Sequence, residues 1–251
     1  VAGTDELVAI LKKLRLSGVL QSLALRRQEA VDGALSFEEF LERLLRDEVD
    51  RRDGKQLDLR IRRASFEHER TLEAFDFSFN ADIPRARVLD LGTCSFVERR
   101  EDVLFIGPTG TGKSHLAQAL GHRACRRGMS VLFTSAADLF GALRVARGDG
   151  TLERRMARYL DADLLIVDDI GLRPLRQDEP YDLHELIRHR HERRSTVLTS
   201  NRAIPEWDAM FPDALLAAAT MDRLLQHAHV IELVGASYRN PPPGRRRNVG
   251  S

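Results

Sequence analysis

The chain has 251 residues, 43% of them hydrophobic and 31% charged, and its 39 Lys and Arg face 38 Asp and Glu for a net charge of +1. That composition supports a sizeable core in one large or two unequal domains, and it excludes a globally basic field as the basis for binding nucleic acid. No run approaches the roughly 18 apolar residues of a spanning helix, the opening VAGTDELVAI lacks the layout of a signal peptide, and Cys94 and Cys125 are too few for a disulfide framework or a four-cysteine zinc site. The expectation is a cytoplasmic protein with no membrane partner.

Residues 1–75 read as a helical N-terminal domain. Leu7, Ile10, Leu11 and Leu14 recur at helical spacing, and Leu16, Val19, Leu20 and Leu23 repeat it. Ser36 with Glu39 three residues later is a capping box, and Phe37, Phe40, Leu41, Leu44 and Leu45 behind it make one apolar face of a helix that the Arg/Glu pattern extends to about Leu72. From Phe75 the segment FDFSFNADIP is aromatic and turn-rich, which suits a linker or strapping loop.

Residues 76–240 read as an α/β domain. VLFI (103–106), SVLFT (130–134), LLIVDD (164–169), STVLTS (195–200) and HVIEL (229–233) are continuous apolar strands, with helical patterns between them around Leu116–Arg127, Leu139–Arg147 and Leu183–Arg194. Strands without polar alternation, separated by helices, predict a parallel sheet covered on both faces. The remainder, 241–251, reads as a disordered basic tail carrying Arg245, Arg246 and Arg247.

Directly after the first strand come Gly107, Pro108, Thr109, Gly110, Thr111, Gly112, Lys113 and Ser114, a full match to G-x-x-x-x-G-K-[ST]. Such a loop curls so that backbone N–H groups and the following helix N-terminus face phosphates; Lys113 would reach the β- and γ-phosphates and Ser114 would complete a Mg2+ shell. Asp168 at the tip of LLIVDD is the candidate to hold the same Mg2+, and Asp169 the candidate to orient or deprotonate the attacking water. Thr199, Ser200 and Asn201 end the next strand with polar side chains on that edge. His115 follows the loop, but no His or Cys spacing resembles a zinc set, and packing or hydrogen bonding is the plainer role for the histidines.

GPTGTGKSHLAQALG, LLIVDDIG, RRSTVLTSN followed by Trp207, DRLLQHAHVIEL and GASYR resemble the IstB-like transposition helper ATPases, relatives of DnaC and DnaA in the AAA+ class. LKKLRLSGVL, LSFEEFLERLLRDEVDRR and TLEAFDFSF resemble the same family, so the likeness runs from about Ala9 to about Arg239. It implies a P-loop AAA+ sheet sandwiched by helices, preceded by a small all-helical domain for assembly or for contact with partner or DNA. It implies ATP and Mg2+ as cofactors, Asn201 as sensor, and Arg223 as the finger that reaches ATP on a neighbouring subunit of a homo-oligomer. Without the resemblance, Arg223 is a surface arginine on the helix before the last strand. Arg239 in the SYR segment is the candidate for a second sensing role. The resemblance further implies nonspecific binding of duplex DNA and recruitment of a transposase, with a DnaC-like helicase loader as the alternative. The Asp168-Asp169 pair, where many AAA+ proteins have Asp-Glu, predicts slow hydrolysis or, at the limit, ATP used only as glue. A small-molecule phosphoryl transferase would need a substrate lid, which the sequence after Gly150 does not suggest.

For DNA, the best local patch is Arg144, Arg147, Arg154, Arg155 and Arg158, which reads equally as a solvated helix face. Arg188-His189-Arg190-His191 with Arg193-Arg194 reads as a subunit interface or an exposed helix end.

Overall fold

The computed structural model describes residues 2–80 and 82–240; the basic tail expected over 241–251 lies outside the described residues. Two compact units divide between Leu59 and Arg60. The first holds α1 (Ala2–Lys13), α2 (Ser17–Asp32) and most of α3 (Phe37–Ala64). The Ser36–Glu39 capping box opens α3: Ser36 N–H donates to Glu39 Oε2 at 2.9 Å and Glu39 N–H to Ser36 Oγ at 3.2 Å.

Gly18 of the LRLSG segment is the second residue of α2, and a Cβ there would lie 2.7 Å from Glu48 Cα and 2.8 Å from the Asp47 carbonyl. Its absence lets the first turn of α2 touch the backbone of α3, so that the Glu48 carboxylate accepts the N–H groups of Gly18 and Val19. Arg26 adds a two-pronged bond to Asp47 at 2.7 and 2.8 Å. The apolar core of this unit is small: Leu11, Val19, Leu23 and Leu44, with Leu16, Leu20 and Phe40 against it. The expected face of α3 is wider than that core covers, and Phe37 (90% exposed), Leu41 and Leu45 stay in solvent.

The helix predicted to about Leu72 ends at Ala64, where Ser65 takes a left-handed φ of +60°. Residues 60–75, expected in the helical domain, belong instead to the second unit. The reason is local: Phe66 stacks on His122 with ring centroids 4.2 Å apart, and His68 N–H donates to Gln118 Oε1 at 3.1 Å.

The second unit continues with α4 (Arg85–Leu91), α5 (Ser95–Glu98), β1 (Asp102–Ile106), α6 (Lys113–Arg126), β2 (Val131–Ser135), α7 (Ala136–Gly148), α8 (Leu152–Asp161), β3 (Leu164–Ile170), α9 (Glu179–Arg190), β4 (Ser195–Ser200), two short 3-10 turns, α10 (Ala214–Gln226) and β5 (Ala228–Glu232). The strands form one sheet in the order β2-β3-β4-β1-β5, and every pairing is parallel. Alternate residues serve opposite faces: Leu104, Leu165, Val167 and Leu198 join a core with α7, α8, α9 and α10, whereas Ile166 meets α6 at Gly121. This is the two-sided burial that the unbroken apolar strands predict. Helix α8, unread in the sequence, buries Tyr159 and packs Leu152, Met156 and Leu160 while turning Arg154, Arg155 and Arg158 outward.

At the strand starts, Arg190 corrects the expectation of an exposed basic cluster, because it is only 1% exposed. Its guanidinium donates to the carbonyls of Tyr159, Leu160 and Ala162 at 2.8, 3.2 and 2.9 Å, to the Ser195 carbonyl, and to Thr196 Oγ1 at 3.1 Å. It thereby satisfies the orphan carbonyls at the end of α8.

Candidate nucleotide site

Because all five strands run the same way, the C-terminal ends of β1, β3 and β4 share one edge, and the loop Gly107–Gly112 leaves β1 there to open α6. Gly107 N–H donates to the Ser200 carbonyl at 3.1 Å, tying the loop to the tip of β4. Gly110 has φ +85°, and a Cβ on it would collide with Ser237 Oγ; its carbonyl accepts from Tyr238 N–H at 2.8 Å. Glycine is thus required both for the turn and for the close passage of the later segment. Pro108 and Thr109 are exposed, and Thr111 Oγ1 donates to the Pro108 carbonyl at 2.9 Å.

Lys113 is 5% exposed and donates through Nζ to the Gly107 and Pro108 carbonyls, both at 2.8 Å. Burial lowers its pKa; the nearby Asp169 and Asp168 oppose that shift, and Arg239 adds to it. Asp168 is buried, which raises its pKa, against hydrogen bonds from the Thr199 and Ser114 hydroxyls. The structure therefore brings Lys113, Ser114, Asp168, Asp169 and Arg239 into one cluster.

The Asp168–Asp169 tip has a feature that the sequence does not announce. The β3–β4 register shifts between Val167 and Ile170, and Asp169 adopts φ +57° with its side chain in solvent. Thr199 fills the gap: its Oγ1 donates to Asp168 Oδ1 and accepts from Asp169 N–H at 2.9 Å. A bulge is the usual way to re-aim side chains at a strand end, and Asp tolerates the left-handed region better than most residues. Thr199 was legible only as one of three polar residues at the end of β4. Ser200 is buried and donates to the Ile170 carbonyl at 2.8 Å, while Asn201 is exposed just beyond the strand.

Two segments far apart in sequence flank the phosphate loop. Asn80 is buried and bonds Ala236 twice, its Nδ2 donating to the Ala236 carbonyl at 3.0 Å and its Oδ1 accepting from Ala236 N–H at 3.1 Å. Phe79 meets Tyr238 edge to face at 4.8 Å, and Phe75 lies against Gly112. The FDFSFN strap and the GASYR segment thus close on the loop from both sides. His115, which follows the phosphate loop, pins this strap: its Nε2 lies 2.9 Å from the Thr71 carbonyl, Phe75 stands edge-on to its ring, and burial lowers its pKa.

The remaining expected residues make other contacts or none that join them to the phosphate loop among the described residues. Arg223 on α10 is half-buried and donates back to the Ala219 carbonyl at 2.7 Å; among the described residues no hydrogen bond or ion pair joins it to the phosphate loop. Arg144, Arg154 and Arg155 are exposed. Arg147 is exposed as well, but its guanidinium is also engaged, gripping Asp182 at 2.6 and 3.3 Å and lying 3.4 Å from Asp178.

Residues 9–243 match the family model of the IstB-like ATP binding protein. The chain is 36% identical over 235 residues to a Bacillus thuringiensis subsp. berliner protein named as an ATP-binding protein of insertion sequence IS232, covering 94% of each chain. It is 38% identical over 237 residues to a Mycobacterium tuberculosis protein named as ATP-binding in an insertion sequence, again covering 94% of each. Among solved structures, DnaI superposes with a TM-score of 0.57 at 21% identity, covering 67% of this chain and 90% of that one. AMPPCP-bound DnaA from Aquifex aeolicus gives 0.55 at 24% identity, covering 65% and 50%. The fold is that of the P-loop AAA+ proteins, no helix among the described residues is long and apolar enough to cross a membrane, and the chain belongs to the family of IstB-like ATP-binding proteins.

Proposed function

We propose that this protein is a transposition helper that hydrolyses ATP slowly, assembles on duplex DNA without reading its sequence, and engages a transposase. The observation that carries this reading is the convergence of Lys113, Ser114, Asp168 and Asp169 at the C-terminal edge of the sheet. Ser114 and Asp168 are hard oxygen donors already in hydrogen-bond contact, so they fit Mg2+ and would hold it; when bound, the ion neutralises charge on the phosphates. Lys113 exchanges loop carbonyls for phosphate oxygens. Asp169, exposed on the bulge, orients the attacking water, with Asn201 beside it on the same edge. Arg239, close enough to Lys113 to depress its pKa, is a second cation for the phosphates.

Arg223 acts on the neighbouring subunit, which couples ATP to assembly; an added guanidinium of this kind raises phosphoryl-transfer rates by about 10³–10⁵. Arg144, Arg154 and Arg155 supply phosphate contacts that gain strength by repetition across subunits. The names of the relatives, which place them in insertion sequences, support the transposase as partner.

Light scattering of the protein with random-sequence duplex in ADP, in ATP, and in ATP with Arg223→Ala tests the reading. A large DNA-bound assembly that requires ATP and fails with the variant is expected. A protein that stays monomeric in every condition overturns the inter-subunit site.

A further inference from the structure

At the other edge of the sheet, where the strands begin, lies a cavity of about 710 Å³. The segments entering β1, β2, β3 and β4 line it, and they bring Arg100, Arg127, Arg193 and Arg194 together against Glu98 and Asp163. The parallel topology makes this convergence: residues distant in sequence arrive side by side because every strand starts on the same edge.

The charges in this basin do not cancel. Arg194 pairs with Asp163, and Arg127 stands 3.9 Å from Glu98. Among the described residues, Arg100 has only a backbone partner, the Glu192 carbonyl at 3.2 Å. The Arg193 side chain makes no hydrogen bond or ion pair among the described residues. Two guanidinium charges are therefore left over in a cavity of the size that holds ligands. The surplus has no evident structural duty, since buried Arg190 already ties this edge together and both Arg100 and Arg193 are exposed. Clustered guanidiniums repel until an anion joins them, and their planar forks match phosphate oxygens.

We propose that this basin binds a short run of phosphate groups, separately from the nucleotide site. The shared chemistry comes from a nucleic-acid backbone or from a free oligophosphate. The test uses the full chain carrying Lys113→Ala, so that the phosphate loop is silent, with inorganic tripolyphosphate in calorimetry and a random-sequence duplex in fluorescence anisotropy across a salt series. At least one probe binds, and the double variant Arg100→Gln/Arg193→Gln weakens it about tenfold or more. Glu98→Gln, which removes an acid from the basin, shifts affinity the opposite way and supplies the readout if the double variant folds poorly.

A loss confined to tripolyphosphate identifies a free oligophosphate as the source. A loss of duplex binding, with a salt slope smaller by about two, identifies a nucleic-acid backbone. The proposal is overturned if neither probe binds the Lys113→Ala protein, or if the Gln and Glu98 variants bind as it does.

Discussion

Each edge of the parallel sheet buries a cation near a buried carboxylate, and the two pairs are finished differently. At the strand starts, all three guanidinium nitrogens of Arg190 have oxygen acceptors, and Asp102 accepts from Thr196 N–H at 2.6 Å. At the strand ends, Lys113 borrows two carbonyls of its own loop, and Asp168 is held by the Thr199 and Ser114 hydroxyls. The first pair is complete without a ligand and serves the fold. In the second, the cation rests on carbonyls of the loop itself, which charged phosphate oxygens can replace with stronger hydrogen bonds.

The comparison breaks most visibly at Arg190. Arg190→Ala leaves several buried carbonyls without donors and removes the cation near Asp102, so a loss of about 3–5 kcal/mol in urea unfolding is expected. Arg190→Lys should recover little of it, because an ammonium cannot span the same acceptors. A loss below about 1 kcal/mol would make the clamp dispensable.

Asp102 sharpens the contrast through pH. Burial pushes its carboxyl from 3.8 up to about 7, against the Thr196 N–H and the Arg190 charge. The folded state then holds a proton that the unfolded state has lost, so this contribution to stability is complete below about pH 3.8 and declines as the pH rises toward 7. The slope is at most about 1.4 kcal/mol per pH unit. Asp102→Asn should flatten that decline in unfolding measured from pH 4 to pH 8, and an unchanged slope would assign it to other groups.

The smallest expected effect is at Thr199. Thr199→Val removes the hydroxyl that steadies both Asp168 and the Asp169 backbone, and phosphate release should fall about tenfold, the value of one hydrogen bond to a charged group. ATP affinity without Mg2+ should not change, and Thr199→Ser should restore the rate. A valine variant with full turnover would show that the bulge holds without Thr199.

Much of this was legible in the chain itself. The five strands begin and end within about a residue of their expected places, because fully buried parallel strands must be apolar throughout and so stand out against helices. The phosphate loop and the Ser36–Glu39 box were readable because each depends on residues only a few positions apart. The helix end at Ala64 was not, since the charge pattern continues beyond it; contacts of Phe66 and His68 with α6 decide where that segment belongs. Arg147 and Arg190 looked like neighbours in exposed basic stretches, and only Asp182 and the end of α8 reveal that both are engaged.

The sequence by itself determined the order of the elements, the class of the sheet and the identity of the phosphate-binding residues, all of which rest on local spacing and on which side chains avoid water. Tertiary structure alone decided that Thr199 bridges Asp168 and Asp169, that Asn80 meets Ala236 beside the phosphate loop, and that four arginines from three separate segments share one cavity. The first two are pairings across 30 and 156 positions of chain, and a parallel sheet makes all three by bringing distant strand ends to a common edge, which no local pattern encodes.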